Sequence, residues 1–435
     1  MRSPKIVAPG FALFAALGLL ATGCSGGGTS TSPSEAATSA VAAPDASSST
    51  AAPERGNADL VIWATQGAAT SLKPFAEKFG ADNGISVEVQ GIAGELRAQY
   101  ITATNSGKGP DVILTAADGL GNLIQNAAIE PLNLSPETKS KFVDVTVESV
   151  TYNGQIYGVP QAVDNVALIR NTELVPELPA TFEDLVTTGL ELKNQGKVTE
   201  ALSLPVGQNG DSYHLQPLFT SAGGYLFGQN ADGSYNQDDL GLDKPESIAA
   251  MTKIQEFAKA GVLKTSISGD NSIALFADGK APFLVSGGWA LEDLNKSGVK
   301  YAVSPVPGIG GKPSQPFVGT QTFYVSSKAK NKTFAEEFVT NFMVNNPDVA
   351  KSLSKTDGRA PALLAAFNDL AASDPVLKGF GDSAAQGQPS PTFPAMAVAW
   401  DPFSKAEAAI IGGADPASTL KAAADTIRQQ IKAAD

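Results

Sequence analysis

Aromatic rings and carboxylates are the side chains of this sequence that could do chemistry, because its 435 residues include one Cys and one His. Zinc sites, disulfides and Cys–His nucleophile pairs need more of both, so we predict no metal and no cofactor. Trp is scarce, with three copies, and Tyr213 lies beside His214 and two residues after Asp211. A ring face can stack on a flat apolar surface of a ligand, and the two oxygens of a carboxylate can accept hydrogen bonds from two donors. Core packing is the alternative role for each Trp.

The overall composition indicates a folded globular protein. Hydrophobic residues make up 43% and charged residues 17% of the chain, and the formal net charge is −13. An acidic chain without a cluster of Lys and Arg lacks the basic surface of a nucleic-acid-binding protein, so we predict no nucleic-acid partner. The length allows two or three domains.

The first residues have the pattern of a secretory signal. Arg2 and Lys5 precede an apolar run over residues 6–21, and small residues follow directly before Cys24. This order matches the charged, apolar and small-residue regions of a signal peptide. The site around Cys24 resembles the lipobox at which bacterial lipoproteins are cleaved and acylated. We therefore expect a lipoprotein signal peptide over 1–23 and an extracytoplasmic bacterial protein anchored to the cell membrane through a lipid on Cys24. The alternatives are an uncleaved anchor and a plain signal peptide.

A segment rich in Ser, Thr, Ala and Gly separates Cys24 from the folded body, over residues 24–57. It has too few large apolar side chains to offset the entropy of ordering it, so we predict a flexible tether. A coil of about 30 residues has a root-mean-square reach of roughly 30 Å.

The body begins with alternating strand and helix patterns, which indicates an α/β fold. β-favouring runs occur at 60–63, 85–89 and 111–114, and apolar residues at helical spacing occur at 71–80 and 97–106. The continuous apolar run after Asp111 favours a strand covered on both faces. Later predictions are helices at 181–193, 334–344 and 416–434, with caps at Thr181 and Asp415, and a buried strand at 282–285. Trp289 follows this last strand, where ligands of open α/β sheets usually bind.

Several separated blocks resemble the extracellular solute-binding proteins of ABC sugar importers, and most closely the maltose/maltodextrin-binding proteins. The resemblance runs from Leu60 to the C-terminus. The blocks are Leu60-Val61-Ile62-Trp63, Gly109-Pro110-Asp111-Val112, Tyr152-Asn153-Gly154, Gly158-Val159-Pro160, Gly223-Gly224-Tyr225, Gly287-Gly288-Trp289, Pro316-Phe317-Val318-Gly319 and Pro394-Ala395-Met396 before Trp400.

This resemblance implies a two-lobed periplasmic-binding-protein-like fold with a multi-segment hinge and a ligand cleft between the lobes. The expected lobes are 58–163 plus 322–371 and 164–321 plus 372–435. The chain would cross between them near 162–166, 317–322 and 371–375.

The resemblance also implies the ligand-binding residues. Trp289, Trp400 and Tyr213 match stacking positions of the family, and Asp118, Asp164 and Asp211 match positions where a carboxylate accepts hydrogen bonds from sugar hydroxyls. Trp63 matches the family's cleft segments, with core packing and site lining equally open.

Two polar anchors of the family are missing. Gly67-Ala68 replaces an acidic-basic pair, and Gly119 stands where the family has Arg. Gln66 is a predicted substitute, with Thr65, Gln161 and Asn165 as further candidates. Arg359 is either another donor or a surface or loop-fixing residue.

The resemblance predicts a monomeric binding protein, not an enzyme, that captures maltose or maltodextrins and delivers them to the permease subunits of an ABC transporter. Another di- or oligosaccharide, such as trehalose or a β-linked oligosaccharide, is the alternative ligand. A secreted glycoside hydrolase, which would also use aromatics and paired carboxylates, is a remote alternative, and a purely structural surface lipoprotein is another. A Ser-His-Asp enzyme would need His214, but the sequence has no Gly-x-Ser-x-Gly elbow.

Replacing Cys24 with Ser tests the lipid anchor. We expect the variant to leave the membrane fraction, because Ser cannot carry the thioether-linked lipid. Fractionation of cells followed by immunoblotting measures this. A variant that stays with the membranes would contradict the lipoprotein assignment.

Overall fold

The computed structural model describes residues 53–230 and 235–434. The predicted signal peptide, Cys24 and nearly all of the predicted tether lie outside the described residues.

Strands and helices alternate through the first part of this region, as the sequence predicts. The strands are β1 (Leu60–Ala64), β2 (Val87–Gly91), β3 (Val112–Ala116), β4 (Thr151–Tyr152), β5 (Gln155–Ile156), β6 (Gly158–Asp164), β7 (Ala167–Asn171), β8 (Phe227–Gln229), β9 (Tyr235–Leu240), β10 (Phe283–Ser286), β11 (Tyr301–Ser304), β12 (Phe317–Val325) and β13 (Gln388–Pro389).

The α-helices are α1 (Gln66–Asn83), α2 (Leu96–Asn105), α3 (Leu120–Gln125), α4 (Pro136–Lys139), α5 (Asp144–Glu148), α6 (Phe182–Asn194), α7 (Ser212–Ser221), α8 (Pro245–Lys259), α9 (Ser272–Ala277), α10 (Leu291–Ser297), α11 (Lys332–Glu337), α12 (Met343–Asn345), α13 (Pro347–Asp357), α14 (Leu364–Ala371), α15 (Pro375–Ala384), α16 (Pro394–Ile411) and α17 (Pro416–Ala434). Short 3₁₀ turns occur at Ala117–Gly119, Gly288–Ala290 and Ile309–Gly311.

The main sheet is mixed, with β1 parallel to both β2 and β3 and with β12 antiparallel to β3. β6 pairs with the opposite edge of β12, because Gln321 pairs with Ala116 on β3 and with Ala162 on β6. Two of the three predicted crossings, at 162–166 and 317–322, therefore overlap paired strands.

Hydrophobic clusters cover both faces of this sheet. Leu60 and Ile62 point into a cluster with α1, whereas Val61 and Trp63 point into a cluster that includes Tyr100 of α2. This alternation follows from the two-residue period of a strand, and it confirms the prediction of a sheet covered on both sides. β2 lies at the sheet edge and is half-buried along its length, so its pattern is less regular than the predicted alternation.

The second sheet has the order β10-β7-β11, and its neighbouring strands are antiparallel. The largest hydrophobic cluster joins β7 and β10 to α6, α7, α8, α16 and α17. The predicted buried strand at 282–285 corresponds to β10, which is buried along its length and runs antiparallel to β7. Trp289 follows it as predicted, in the 3₁₀ turn Gly288–Ala290.

Capping residues fix the helix ends that the sequence predicts. The Thr181 hydroxyl accepts a hydrogen bond from the Asp184 N–H, and the Asp184 carboxylate accepts one from the Thr181 N–H, which forms a capping box. The Asp415 carboxylate accepts from the Ser418 N–H at 2.9 Å, ahead of Pro416 at the start of α17. Both predicted caps are confirmed.

The predicted helix over 334–344 exists, but it contains a π-helical turn at Phe338–Phe342 between α11 and α12. The rings of Phe338 and Phe342 both lie 5.2 Å from the Phe79 ring. The two rings are four residues apart and therefore lie on the same face of the helix.

No helix within residues 53–230 and 235–434 combines the length and the apolar character needed to cross a membrane.

Asp111 lies fully buried at the start of β3 and links three segments. Its Oδ2 accepts hydrogen bonds from the Val61 N–H at 2.8 Å and from Arg55 at 2.6 Å. Its Oδ1 accepts from the N–H groups of Lys330 at 2.6 Å and Asn331 at 3.2 Å. The buried carboxylate therefore accepts hydrogen bonds from four donors.

Replacing Asp111 with Ala should lower the free energy of unfolding by about 3–5 kcal/mol, because it leaves the buried Arg55 guanidinium without its opposite charge and the buried Val61 N–H without an acceptor. Urea denaturation followed by circular dichroism measures the loss. Asp82→Ala is the control, since Asp82 forms an exposed pair with Lys78, and it should change stability little. Equal effects of both variants would contradict the assigned role of Asp111.

Candidate functional site

Three predicted stacking residues lie together although they come from distant parts of the chain. Tyr213 is on α7, Trp289 is in the 3₁₀ turn after β10, and Trp400 is on α16. The Tyr213 ring centroid lies 6.4 Å from the centroids of both Trp289 and Trp400. All three side chains are partly exposed, so the cluster presents apolar ring surface at the protein surface.

Two glycines allow Trp289 to take this position. A Cβ at Gly287 would lie 2.0 Å from the Trp289 ring, so the indole folds over bare backbone. A Cβ at Gly288 would lie 2.3 Å from the carbonyl oxygen of Gly358, at the end of α13. The Gly-Gly-Trp block therefore reflects close contact with two neighbours.

His214 and Asp211 support the same cluster. The Asp211 carboxylate accepts a hydrogen bond from the His214 N–H and so caps α7. The His214 Nδ1 lies 2.7 Å from Asp211 Oδ2, and its ring packs edge-on against Trp289 at 5.8 Å. Asp211 thus contacts the helix that carries Tyr213, and His214 belongs to the aromatic cluster.

Asp164 joins the aromatic cluster to the main sheet. Its Oδ1 accepts a hydrogen bond from Arg359 Nε at 2.9 Å, and its Oδ2 accepts one from Gln321 Nε2 at 2.7 Å. Its backbone carbonyl accepts a hydrogen bond from the Tyr213 hydroxyl at 3.1 Å. The guanidinium carbon of Arg359 lies 5.3 Å from the Trp289 ring centroid, within cation–π range.

Burial raises the pKa of two side chains in and beside this network, Tyr213 and Asp357. It raises the pKa of the Tyr213 phenol well above its ordinary value, and the Asp164 charge adds to the effect, so the hydroxyl stays a donor. Burial also raises the pKa of the Asp357 carboxyl from 3.8 to about 6, against the opposing charge of Arg359.

A polar cavity of about 280 Å³ lies beside this network. Arg359 lines the cavity and also contacts Trp289, so the cavity and the aromatic cluster share a wall. The other charged and amide side chains in its lining are Glu95, Arg97, Asp118, Gln161, Gln321 and Asp357. The arrangement offers hydrogen-bond donors and acceptors next to exposed ring faces.

Arg97 pairs with Asp118 at 2.5 Å, and sequence reasoning missed this partner. A Cβ at residue 119 would lie 2.0 Å from Arg97 Nη1, so Gly119 makes room for the guanidinium. α2 therefore supplies an arginine beside Asp118. In the family pattern, the arginine is instead the residue that directly follows the acid.

Three other predicted residues, Trp63, Gln66 and Asn165, do not line the cavity. Trp63 is fully buried among core side chains, and its indole N–H donates to Gln90 Oε1 at 2.6 Å. Between core packing and site lining, the structure therefore favours core packing for Trp63. Gln66 is exposed at the start of α1, against Gly91 of β2, and does not belong to the cavity lining. Asn165 is buried, and its amide donates to backbone carbonyls of Val166 and Phe380. Thr65 does line the cavity.

Gln321 and Asp357 are further cavity residues that sequence reasoning did not find. The sequence indicated that a helix ends before Gly358, which has φ 68° and caps α13. It carried no signal that the preceding Asp357 would face the cavity.

A larger cavity of about 830 Å³ lies near β4, β9 and β13, and its lining includes none of the predicted ligand residues. In the described part of the chain, no three His, Cys, Asp or Glu side chains are grouped so that they could hold a metal ion.

The sequence profile of the bacterial extracellular solute-binding protein family matches residues 75–378. The chain therefore belongs to this family, whose members bind solutes and are not enzymes.

Similar proteins include a galactooligosaccharide-binding protein of Bacillus subtilis strain 168, which is 27% identical over 86% of this chain and 90% of the relative. A maltooligosaccharide ABC transporter solute-binding lipoprotein of Streptococcus pneumoniae R6 is 25% identical over 86% of this chain and 89% of its own length. The crystal structure of a cyclo/maltodextrin-binding protein complexed with maltotetraose superposes with a TM-score of 0.75 at 29% identity, over 86% of this chain and 98% of that one. The predicted periplasmic-binding-protein-like α/β fold is confirmed.

The raised pKa of Asp357 gives a pH dependence of stability. Because its pKa is higher in the folded protein, the folded state binds this proton more tightly than the unfolded state does. The contribution of this proton to the free energy of unfolding is complete below about pH 4 and is lost as the pH rises through about 6. Between pH 4 and pH 7, the free energy of unfolding of wild type should therefore fall by up to about 3 kcal/mol more than that of Asp357→Asn.

Urea denaturation of both proteins at pH 4, 5, 6 and 7 measures this difference. The asparagine keeps an oxygen that can accept the Arg359 N–H, which donates to Asp357 Oδ1 at 3.1 Å. If the free energy of unfolding changes with pH by the same amount in both proteins, burial does not hold the proton on Asp357.

Proposed function

We propose that this protein is the substrate-binding component of an ABC transporter that captures a neutral oligosaccharide at the aromatic cluster and the adjoining cavity. One observation carries the proposal: Tyr213, Trp289 and Trp400 meet the Asp164–Arg359 pair at the edge of a polar cavity. Ring faces for C–H surfaces and fixed polar groups for hydroxyls are what a sugar site requires.

Maltose or maltodextrin is the ligand we favour. The lipoprotein of S. pneumoniae is named for maltooligosaccharides, and the superposed crystal structure holds maltotetraose. A galactooligosaccharide is the second candidate, because the B. subtilis relative is named for that ligand and aligns over 86% of this chain. Gly67-Ala68 and Gly119, where the family's acidic-basic pair and Arg are missing, are the positions at which a different sugar would be selected.

We propose that binding closes two lobes, 58–163 plus 322–371 and 164–321 plus 372–435, around the sugar. The antiparallel pairing of β6 with β12 supports a hinge here, because two of the proposed crossings lie on these strands. Tyr213, Trp289 and Trp400 would belong to one lobe and Asp118 to the other. A sugar that contacts both lobes only in the closed form shifts the population toward that form.

Anchoring through a lipid on Cys24 and delivery of the sugar to permease subunits complete the proposal. The extracellular family and the lipoprotein relative support it. A tethered monomer would load at the membrane surface and dock on the permease in its closed form.

The test is isothermal titration calorimetry on the full chain carrying Cys24→Ser, with maltose, maltotriose, β-1,4-galactotriose, trehalose and cellobiose. We expect maltotriose to bind with a Kd of about 1 μM. Trp289→Ala and Trp400→Ala should each weaken that binding at least about 30-fold, because each removes a stacking face.

Tyr301→Ala is the control, since Tyr301 lies on β11, where its hydroxyl donates to Asn295, and it is not part of the aromatic cluster. It should bind like wild type. Full affinity in both tryptophan variants would refute the placement of the site, and binding of galactotriose alone would select the second candidate ligand.

A further inference from the structure

β6 contains an irregularity at Gln161. Across the β6–β12 pairing, Gln321 is opposite Ala162, and the next residue, Thr322, is opposite Pro160. Gln161 is thus an extra residue without a partner on β12, which is the definition of a β-bulge. Bulges redirect a side chain and occur often beside functional sites.

The side-chain amide of Gln161 has no partner in the described structure. The residue is 3% exposed, and neither its amide nitrogen nor its amide oxygen makes a hydrogen bond. Its backbone carbonyl, by contrast, accepts the Ala362 N–H at 3.0 Å. Buried polar side chains are nearly always paired, so an unpaired amide requires an explanation.

The surroundings of Gln161 leave the cavity as the place for a partner. On one side the neighbours are apolar, with Val159, Phe323 and Leu363 among them. On the other side Gln161 lines the 280 Å³ cavity. The nearby polar groups Gln321 and Asp164 already hydrogen-bond to each other.

We propose that Gln161 is a specificity-determining residue of the proposed oligosaccharide site, where its amide hydrogen-bonds a pair of adjacent sugar hydroxyls. The amide oxygen accepts from one hydroxyl and the amide nitrogen donates to its neighbour, a match for two vicinal hydroxyls of a pyranose ring. A site built around such a group discriminates strongly against a ligand without the hydroxyls, because the buried amide would stay unpaired. The inference rests on the proposed function.

The test compares Gln161→Met with Gln216→Met in the full chain carrying Cys24→Ser. Methionine keeps the unbranched shape of glutamine without its hydrogen-bonding atoms. Gln216 is the matched control, since it is also buried with an unpaired amide oxygen but does not line the cavity. Calorimetry with maltotriose and with β-1,4-galactotriose measures affinity, and differential scanning calorimetry without sugar measures the melting temperature.

We expect Gln161→Met to bind the sugar about 10- to 100-fold more weakly than wild type. Gln216→Met should stay within about twofold, since it removes no ligand contact. The sugar-free melting temperature of Gln161→Met should be no lower than that of wild type, because the substitution removes an unpaired buried amide.

Two results would overturn this inference alone. One is an affinity of Gln161→Met equal to that of wild type, as expected if water serves the amide. The other is a fall in melting temperature together with affinity, which would make Gln161 a structural residue. If wild type binds neither sugar, the proposed function fails and this inference fails with it.

Discussion

The pairing of β12 along both of its edges is the constraint on which the site depends. Through β3 this strand belongs to the covered main sheet, and through β6 it holds the segment that carries Asp164 and Gln161. Buried hydroxyls reinforce the second pairing, since Thr320 donates to the Ala162 carbonyl at 2.6 Å. The main sheet therefore determines where the polar groups of the cavity stand, and the site has a rigid base.

A partly buried ion pair connects this base to the aromatic cluster. Asp164 and Arg359 have side chains 14% and 18% exposed, so each charge needs the other, and Gln321 satisfies the second carboxylate oxygen. Arg359 then rests on Trp289, and Tyr213 donates to the backbone of Asp164. Charge pairing and ring packing thus act on the same few residues, which keeps the ring faces in fixed positions for a ligand.

The polar wall of the cavity consists of residues that are distant in sequence. Gly119 makes room for an arginine, and α2 supplies that arginine as Arg97. The family has an arginine directly after the acid, and at that position this chain has Gly119, so the sequence predicted that this anchor is missing. In the folded chain an arginine lies beside Asp118, but it comes from α2 and not from the residue after the acid.

The sequence by itself determined the α/β order, the capped helix ends at Thr181 and Asp415, and the family, because these depend on local periodicity, caps and short blocks. It also named Trp289, Trp400 and Tyr213, which the fold brings together. Only the tertiary structure decided that Trp63 faces the core, that Gln66 lies outside the cavity, and that Gln161, Gln321, Asp357 and Arg359 line it. The reason is physical: these positions are set by the register between strands some 160 residues apart and by one bulge, and a shift of one residue in register reverses which face a side chain occupies.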